Sequence, residues 1–240
     1  MKGTAVVTGA CGGIGAATCE LLTQRGLDVI GIDRRPGSDV TVDLGDAQGT
    51  EDAVRAAVGD TPVVALVNNA AWQVMAPLES LDDSSWRDVI DVNVGAAHRL
   101  TRLLAPSLRA NRGAVVNVAS VHAGASTPGM AAYAASKAAL LAYTRVAALE
   151  LAPEVRVNAI LPGAVQTEML DAGLDRFASD DAGRRAAIER LVSRTPLDRV
   201  GKPAEIAKVI AFLLDDEQSS FVTGTTLVVD GGVSARLASE

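Results

Sequence analysis

Short apolar runs alternate with longer alanine- and leucine-rich stretches along the whole chain. Most of these runs are continuously apolar, which is typical of strands that are covered on both faces. Strands are predicted at residues 4–8, 28–32, 39–42, 63–67, 114–118, 155–160 and 226–230. Helices are predicted near residues 13–25, 50–58, 84–109, 131–151, 184–193 and 203–214. This alternation predicts an α/β fold, in which a doubly wound, mainly parallel sheet of seven strands carries helices on both faces.

The chain of 240 residues shows no linker, repeat or low-complexity segment. Because α/β folds often reach this length as one unit, a single domain is predicted over residues 1–240. The least regular region, residues 166–200, is rich in charge and carries no strand pattern. It is interpreted as a mobile lid over a substrate, with a plain helical excursion as the alternative.

The net charge is −7, from 22 basic and 29 acidic residues, which argues against a nucleic-acid partner or an anionic membrane. It does not argue against an anionic cofactor, since backbone N–H groups at a helix N-terminus bind phosphate. No signal peptide and no apolar run of membrane-spanning length is recognised. Cys11 and Cys19 lie too far apart on a helical path for a disulfide, so free thiols and a cytoplasmic location are expected.

A glycine-rich turn, TGACGGIG, lies between the first predicted strand and the first predicted helix. Its spacing uses Gly9, Gly13 and Gly15 and does not match the general GxGxxG pattern of dinucleotide-binding turns. The physical requirements are nevertheless the same: a tight turn, close approach of the backbone to a pyrophosphate, and close packing of the helix on the sheet. Strand, turn and helix in this order predict a dinucleotide site.

The second predicted strand ends in GIDRRPG, in which Asp33 is followed by Arg34 and Arg35. An acid at this point accepts hydrogen bonds from the ribose 2′-OH of NAD, whereas an arginine favours the 2′-phosphate of NADP. At about 4 Å, Asp33 would oppose each charge of a 2′-phosphate by roughly 4 kcal/mol. The long, exposed arginines offset only part of that, and Arg34 is interpreted as lying flat on the adenine. NAD is therefore the predicted cofactor.

The segment YAASK places Tyr133 and Lys137 one helical turn apart on one face. Taken alone, such a pair is better explained by simple packing and solvation. Ser120, however, follows the fifth predicted strand at the carboxyl edge, where open α/β sheets bind ligands. Asn93 interrupts an otherwise apolar helical face, and it either kinks and hydrates the helix or contributes to a polar site.

Together these motifs resemble those of the short-chain dehydrogenase/reductase family in its compact, single-domain form. The resemblance runs from Thr4 to Gly232. It rests on TGACGGIG (8–15), NNA (68–70), Asn93, Ser120 with YAASK (133–137), PGAVQT (162–167) and VDGG (229–232). It implies a Rossmann-type fold and hydride transfer between nicotinamide C4 and a carbonyl or alcohol carbon. The family usually has NNAG where this chain has Ala71, which predicts an altered pocket wall and not a loss of activity.

The resemblance also implies four catalytic residues, namely Asn93, Ser120, Tyr133 and Lys137. Tyr133 would be the general acid/base. Because a free tyrosine has a pKa of about 10, Lys137 and the positive nicotinamide would favour the tyrosinate. Ser120 would donate to the substrate oxygen, where charge changes in the transition state. Asn93 would hold a water that links Lys137 to solvent.

Contacts with NAD are implied for Gly9, Gly12, Gly13, Ile14, Gly15, Asp33, Arg34, Asp43, Leu44, Asn69, Tyr133, Lys137, Val165 and Thr167. The glycine turn would hold the pyrophosphate, and Asn69 the adenosine ribose. Val165 and Thr167 would contact the nicotinamide carboxamide. Asp43 and Leu44 would border the adenine, although an ordinary strand-end acid and a core leucine explain them equally well.

The substrate pocket is predicted to include Trp72, Gln73, His122, Met130 and Met169. This set is largely apolar with two polar points. It favours a secondary alcohol or ketone, including cyclic ones, over a highly charged sugar phosphate.

Three functions are compatible with these features. The first is an NAD(H)-dependent alcohol dehydrogenase or ketoreductase. The second is an NADPH-linked 3-oxoacyl thioester reductase, against which Asp33 and Gly12 weigh. The third is a non-catalytic nucleotide-sensing protein on the same fold. Similar proteins are homotetramers or homodimers, and such an assembly is expected here.

Two other kinds of site are disfavoured. A Ser–His hydrolase would need a G-x-S-x-G elbow, which Ser120 lacks. With two histidines, no HExxH segment and no paired-cysteine motif, no metal is predicted.

Overall fold

The computed structural model describes residues 2–175 and 180–235. Its strands are β1 (Thr4–Thr8), β2 (Asp28–Asp33), β3 (Val40–Thr41), β4 (Val63–Asn68), β5 (Ala114–Val118), β6 (Arg156–Pro162) and β7 (Thr226–Val229). They form one sheet in the order β3-β2-β1-β4-β5-β6-β7, with every neighbouring pair parallel. The first strand, β1, lies in the middle of the sheet. Strands β2 and β3 follow on one side of β1, and strands β4 to β7 follow on the other side. The predicted doubly wound, Rossmann-type α/β fold is confirmed, and its switch point lies between β1 and β4.

The helices are α1 (Gly13–Gln24), α2 (Ala47–Val58), α3 (Asp83–Ile90), α4 (Ala96–Ala110), α5 (Ala131–Leu151), α6 (Glu168–Asp175), α7 (Asp181–Arg194), α8 (Pro203–Leu214) and α9 (Asp216–Ser219). Within the described ranges, none of them combines the length and the apolar character that crossing a membrane requires.

The core lies on both faces of the sheet. On one face, Leu22 of α1 and Ile206 of α8 pack in a buried cluster with strand residues such as Val116. On the other face, α2, α4 and α5 contribute to a second buried cluster with the strands. Each strand from β4 to β6 is buried along its whole length. Coverage on both sides explains why these strands are continuously apolar in sequence.

Two predicted elements differ from those in the structure. The helix expected at 84–109 is interrupted, because Asp91–Gly95 form a π-helical turn between α3 and α4. Such wide turns are frequent at functional sites, and this one contains Asn93. The strand expected at 39–42 is reduced to β3, which lies at the edge of the sheet and pairs only with β2.

The region 166–200 leaves and rejoins the fold at one place. The N–H of Gln166 donates to the carbonyl of Gly201, and the N–H of Gly201 donates to the carbonyl of Ala164, both at 2.9 Å. Between these points the described residues form α6 and α7, and residues 176–179 lie outside the described part. The region is therefore an excursion from the carboxyl end of β6, and its role as a substrate lid remains a prediction.

Candidate active site

The glycine turn brings the N-terminus of α1 to the carboxyl edge of the sheet. Gly9 adopts the left-handed φ of +67°, which reverses the chain directly after β1. A Cβ on Gly15 would lie 2.0 Å from the carbonyl oxygen of Gly9, so the close packing of α1 on the turn requires glycine. Gly12 caps α1 without a side-chain hydrogen bond, and no acidic residue lies in the first turn. The helix N-terminus is thus available to an anion, as a cofactor pyrophosphate requires.

Asn69 joins the loop after β4 to the glycine turn. Its side-chain amide donates to the carbonyl of Thr8 at 2.9 Å and to that of Gly9 at 3.3 Å. In return, the hydroxyl of Thr8 accepts from the N–H groups of Asn69 and Ala70, both at 3.0 Å. The amide nitrogen of Asn69 thus holds the two loops together, and its contact with an adenosine ribose stays a prediction.

Thr167 lies on the other side of the same turn. A Cβ on Gly13 would meet the methyl carbon of Thr167 at 2.9 Å, so the Thr167 side chain packs against the backbone of Gly13. The hydroxyl of Thr167 donates to the carbonyl of Val165 at 3.2 Å and accepts from the N–H of Leu170 at 3.3 Å. Val165 is buried beside it. Thr167 therefore lies against the glycine turn, and the contact of both residues with a nicotinamide carboxamide stays a prediction.

Asp33 lies at the carboxyl end of β2 and is 8% exposed. One carboxylate oxygen accepts from the N–H of Cys11, and the other from the N–H of Arg35, each at 3.0 Å. These bonds hold the carboxylate between the glycine turn and the end of the strand. Asp43 and Leu44 behave differently, because Asp43 accepts from the N–H of Gly45 at 2.9 Å and Leu44 is buried in the core.

The two arginines after Asp33 each have a partner that the sequence did not indicate. The guanidinium carbon of Arg34 lies 4.5 Å from the centroid of the Trp72 ring. Arg35 forms an ion pair with Glu168 in α6 at 2.7 Å, and its Nε lies 3.5 Å from Asp33. Arg34 thus lies on an aromatic ring of the protein itself, and its contact with an adenine stays a prediction.

Tyr133 and Lys137 are buried together at the start of α5, with exposed fractions of 6% and 1%. The Nζ of Lys137 donates to the carbonyl of Val118 at 2.8 Å and lies 5.6 Å from the centroid of the Tyr133 ring. Ser120 comes two residues after β5, and its side chain lies close enough to Tyr133 to act against the rise in the pKa of that phenol. Its hydroxyl also accepts from the N–H of His122 at 3.2 Å. The structure thus brings three of the predicted catalytic side chains together.

Burial has the largest effect on the pKa values of Tyr133 and Lys137. It raises the pKa of Tyr133 to about 12, although the hydrogen bond with Ser120 acts in the opposite direction. Burial also lowers the pKa of Lys137 to about 7. The resemblance to the family implies that Lys137 favours the tyrosinate. Among the protein's own groups the loss of water outweighs that attraction, because each charged form is desolvated.

Asn93 is placed by the π-helical turn against the loop that contains Trp72. Its amide oxygen accepts from the N–H of Trp72 at 2.6 Å, and its nitrogen donates to the carbonyl of Trp72 at 3.0 Å. The same nitrogen donates to the hydroxyl of Ser136 at 2.9 Å, and Ser136 donates to the carbonyl of Tyr133 at 2.7 Å. The Asn93 side chain therefore fastens the Trp72 loop to the turn of α5 that carries Tyr133. Ser136 lies within the YAASK segment, and no local pattern indicates its contact with Asn93.

The residues predicted for a substrate pocket are only partly brought together. The ring of His122 lies edge-on to that of Tyr133, with centroids 5.9 Å apart, and burial lowers the pKa of His122. Trp72 is partly exposed on its loop, followed directly by Gln73, and Met169 is exposed on α6. Met130, by contrast, is buried at the start of α5 and belongs to the interior.

Throughout residues 2–175 and 180–235, no group of three or more His, Cys, Asp and Glu side chains is arranged to hold a metal ion. The polar groups at this edge of the sheet are instead a phenol, a hydroxyl, an amine and an imidazole.

Comparison with known proteins agrees with this geometry. A family model described as enoyl-(acyl carrier protein) reductase matches residues 9–234. The chain is 33% identical over 249 residues to the cyclopentanol dehydrogenase of Comamonas testosteroni, with 96% of both chains covered. It is 38% identical over 250 residues to the cis-4-hydroxycyclohexanecarboxylate dehydrogenase of Sinomonas cyclohexanicum, again with 96% of both chains covered.

Two further similarities bear on the reaction and the cofactor. The chain is 35% identical over 247 residues to the 3-oxoacyl-(acyl-carrier-protein) reductase FabG of Thermotoga maritima, and the match covers 95% of this chain and 96% of that protein. Among solved structures, 4-hydroxyisoleucine dehydrogenase complexed with NADH has a TM-score of 0.85 and 29% identity. The superposition covers 98% of this chain and 99% of that one.

Proposed function

We propose that this chain, which belongs to the short-chain dehydrogenase/reductase family of oxidoreductases, is an NAD(H)-dependent enzyme that interconverts a secondary alcohol and its ketone. One arrangement carries the proposal: Tyr133 is buried beside Ser120 and one helical turn from a buried Lys137. The uncapped N-terminus of α1 lies at the same edge of the sheet. A proton donor next to an anion site is the combination that hydride exchange with a nucleotide requires.

Tyr133 is the proposed general acid/base. In alcohol oxidation its oxygen takes the hydroxyl proton, and in ketone reduction it returns a proton to the carbonyl oxygen. A bound nicotinamide supplies the hydride acceptor in one direction and the hydride donor in the other. Because the pKa of Tyr133 is about 12, the phenol is its resting form at neutral pH, ready to protonate a carbonyl oxygen.

Lys137 and Ser120 are proposed to support this proton transfer. Proton loss from Tyr133 and proton gain by Lys137 favour each other, since an ammonium near the ring stabilises the phenolate. Ser120 is positioned to donate to the substrate oxygen as its charge changes. Asn93 acts in this scheme by holding the Trp72 loop against α5, because its amide nitrogen donates to both and its oxygen accepts from the N–H of Trp72.

NAD is the proposed cofactor because of the charge at the end of β2. Asp33 is buried, and two backbone N–H groups hold its carboxylate in place. A fixed carboxylate suits a ribose 2′-OH and repels a 2′-phosphate. The similar 4-hydroxyisoleucine dehydrogenase, which was solved with NADH, supports the same choice.

The proposed substrate is a cyclic or linear secondary alcohol. The similarity to two dehydrogenases of cyclic alcohols supports a ring-shaped substrate. Partly exposed Trp72 and the edge-on ring of His122 beside Tyr133 offer flat, largely apolar surfaces to such a ring.

The test is turnover of cyclopentanol, cyclohexanol and linear secondary alcohols with NAD or NADP by the wild-type protein and by Tyr133→Phe. We expect NAD-dependent oxidation by the wild type and a loss of at least about 100-fold in Tyr133→Phe, with NADH binding retained. Tyr143→Phe is the matched control, since Tyr143 lies on the same helix but has an alanine four residues on. Full activity of Tyr133→Phe would contradict the mechanism.

A 3-oxoacyl thioester reductase is the second candidate, favoured by the similarity to FabG of Thermotoga maritima. It is distinguished by adding acetoacetyl-CoA with NADPH or NADH to the same screen. Activity confined to the thioester with NADPH would replace the first proposal by this one. Binding of NADH without turnover of any substrate would support a nucleotide-sensing protein.

A homotetramer or homodimer is part of the proposal. Val146 and Leu149 are exposed on α5, and Leu227 and Val228 are exposed on the edge strand β7. Faces of this kind suit contact with further copies of the chain. Gel filtration with light scattering would give the number of subunits.

A further inference from the structure

Arg35 lies where it would meet the 2′ position of a bound adenosine ribose. Its Nε is 3.5 Å from Asp33, the residue that faces the ribose in the proposed NAD site. Its Nη2 would be 3.8 Å from a Cβ placed on Gly12, so the guanidinium also borders the glycine turn. A guanidinium in this position could bind a 2′-phosphate in the bidentate way that arginines favour.

Glu168 prevents this arginine from acting as a free cation. Glu168 is the first residue of α6, and one of its carboxylate oxygens lies 2.7 Å from Nη1 of Arg35. Thr167, directly before it, is held against the glycine turn, so Glu168 is carried to this place by the backbone. Arg35 therefore stands between Asp33 and Glu168, and the three groups together have a net charge of −1.

Arg34 likewise has a partner within the protein, the ring of Trp72. Its guanidinium stacks on the indole ring, 4.5 Å from the centroid. The ring belongs to the loop that Asn93 holds through two hydrogen bonds. Arg34 is thus directed towards the Trp72 loop, which leaves Arg35 as the arginine whose release would alter the charge beside Asp33.

We infer that Glu168 is a cofactor-specificity residue, which neutralises Arg35 and so prevents this guanidinium from binding the 2′-phosphate of NADP. The inference rests on the proposed preference for NAD and extends it to a residue 133 positions away from Arg35 in the sequence. Glu168 acts through Arg35 and touches no reacting atom, so it is a positioning residue.

The experiment measures binding of 2′,5′-ADP and of 5′-AMP by isothermal titration calorimetry. These fragments differ only in the 2′-phosphate, and binding is read without turnover. Because the ion pair is 39% exposed at Arg35 and 76% exposed at Glu168, we expect a modest effect. Glu168→Gln should tighten 2′,5′-ADP about two- to fivefold and leave 5′-AMP unchanged. The gain should fall as the salt concentration rises.

Three variants isolate the cause. Asp171→Asn removes the same charge from the same helix, but Asp171 pairs with Arg184, so 2′,5′-ADP binding should stay at the wild-type value. Glu168→Asp keeps the charge and should also resemble the wild type. Adding Arg35→Ala to Glu168→Gln should abolish the gain, because the released guanidinium is then absent.

The possible results test the role of Glu168 separately from the proposed preference for NAD. If the wild type binds 5′-AMP more tightly than 2′,5′-ADP and Glu168→Gln behaves like Asp171→Asn, the role of Glu168 is refuted while the NAD proposal stands. The same holds if the gain survives Arg35→Ala. If the wild type already binds 2′,5′-ADP more tightly, the NAD preference is refuted, and the role of Glu168 with it.

Discussion

Replacing Lys137 by methionine is expected to stabilise the folded protein at neutral pH while abolishing activity. Burial lowers the pKa of Lys137 from 10.5 to about 7, which corresponds to roughly 5 kcal/mol of lost stability when both the folded and the unfolded chain are protonated. Methionine fills a similar volume without a charge. The carbonyl of Val118 loses its donor, which costs about 1–3 kcal/mol. The net gain at neutral pH is therefore roughly 2–4 kcal/mol.

The sign of the pH dependence follows from which state holds the proton. The unfolded chain keeps the Lys137 proton up to pH 10.5, and the folded chain only up to about pH 7. Between these values the unfolded state binds more protons, so the stability of the wild type rises with pH. The penalty is complete below about pH 7 and disappears above pH 10.5. The advantage of Lys137→Met should thus shrink by about 1.4 kcal/mol per pH unit.

The assay is urea unfolding of both proteins in steps across this pH range, followed by circular dichroism. The lost hydrogen bond to Val118 contributes equally at every pH, so the slope isolates the titration of Lys137. Lys208→Met, on the exposed side of α8, is the control and should change stability by less than about 0.5 kcal/mol. A difference between wild type and Lys137→Met that is constant with pH would refute the reasoning, as would a less stable variant at neutral pH.

Two further predictions concern the turn and the core. Gly15→Ala places a Cβ 2.0 Å from the carbonyl oxygen of Gly9, so the turn must open, and calorimetry should show NADH binding weakened by at least about 10-fold. Normal NADH affinity in this variant would mean that the turn does not hold the cofactor. Arg156, which is 9% exposed, donates to the carbonyls of Leu213 and Leu214 at the end of α8. Arg156→Met should lower the free energy of unfolding by about 2–4 kcal/mol in urea, and Arg156→Lys by less; equal losses would contradict a role of the guanidinium fork.

Local pattern alone was sufficient to predict the fold class. Continuously apolar strands and a strand–glycine turn–helix unit occur within short stretches of sequence, and the structure has the corresponding parallel sheet with helices on both faces. The sequence predicts one helix over 84–109 and names a kink at Asn93 as one of two alternatives, but it does not predict the π-helical turn at Asp91–Gly95. The contact made from this turn is tertiary, because the Asn93 amide binds the backbone of Trp72, 21 residues away.

In the candidate site, too, some features can be predicted from local sequence and others depend on tertiary contacts. That Tyr133 and Lys137 share one face of a helix can be read from the sequence, because helical spacing is a local property. Their pKa values depend on the folded structure, since burial depends on everything packed around them. The tertiary structure also decided the partners of the two arginines. Glu168 is 133 residues from Arg35, and no local pattern connects two surface charges at that separation.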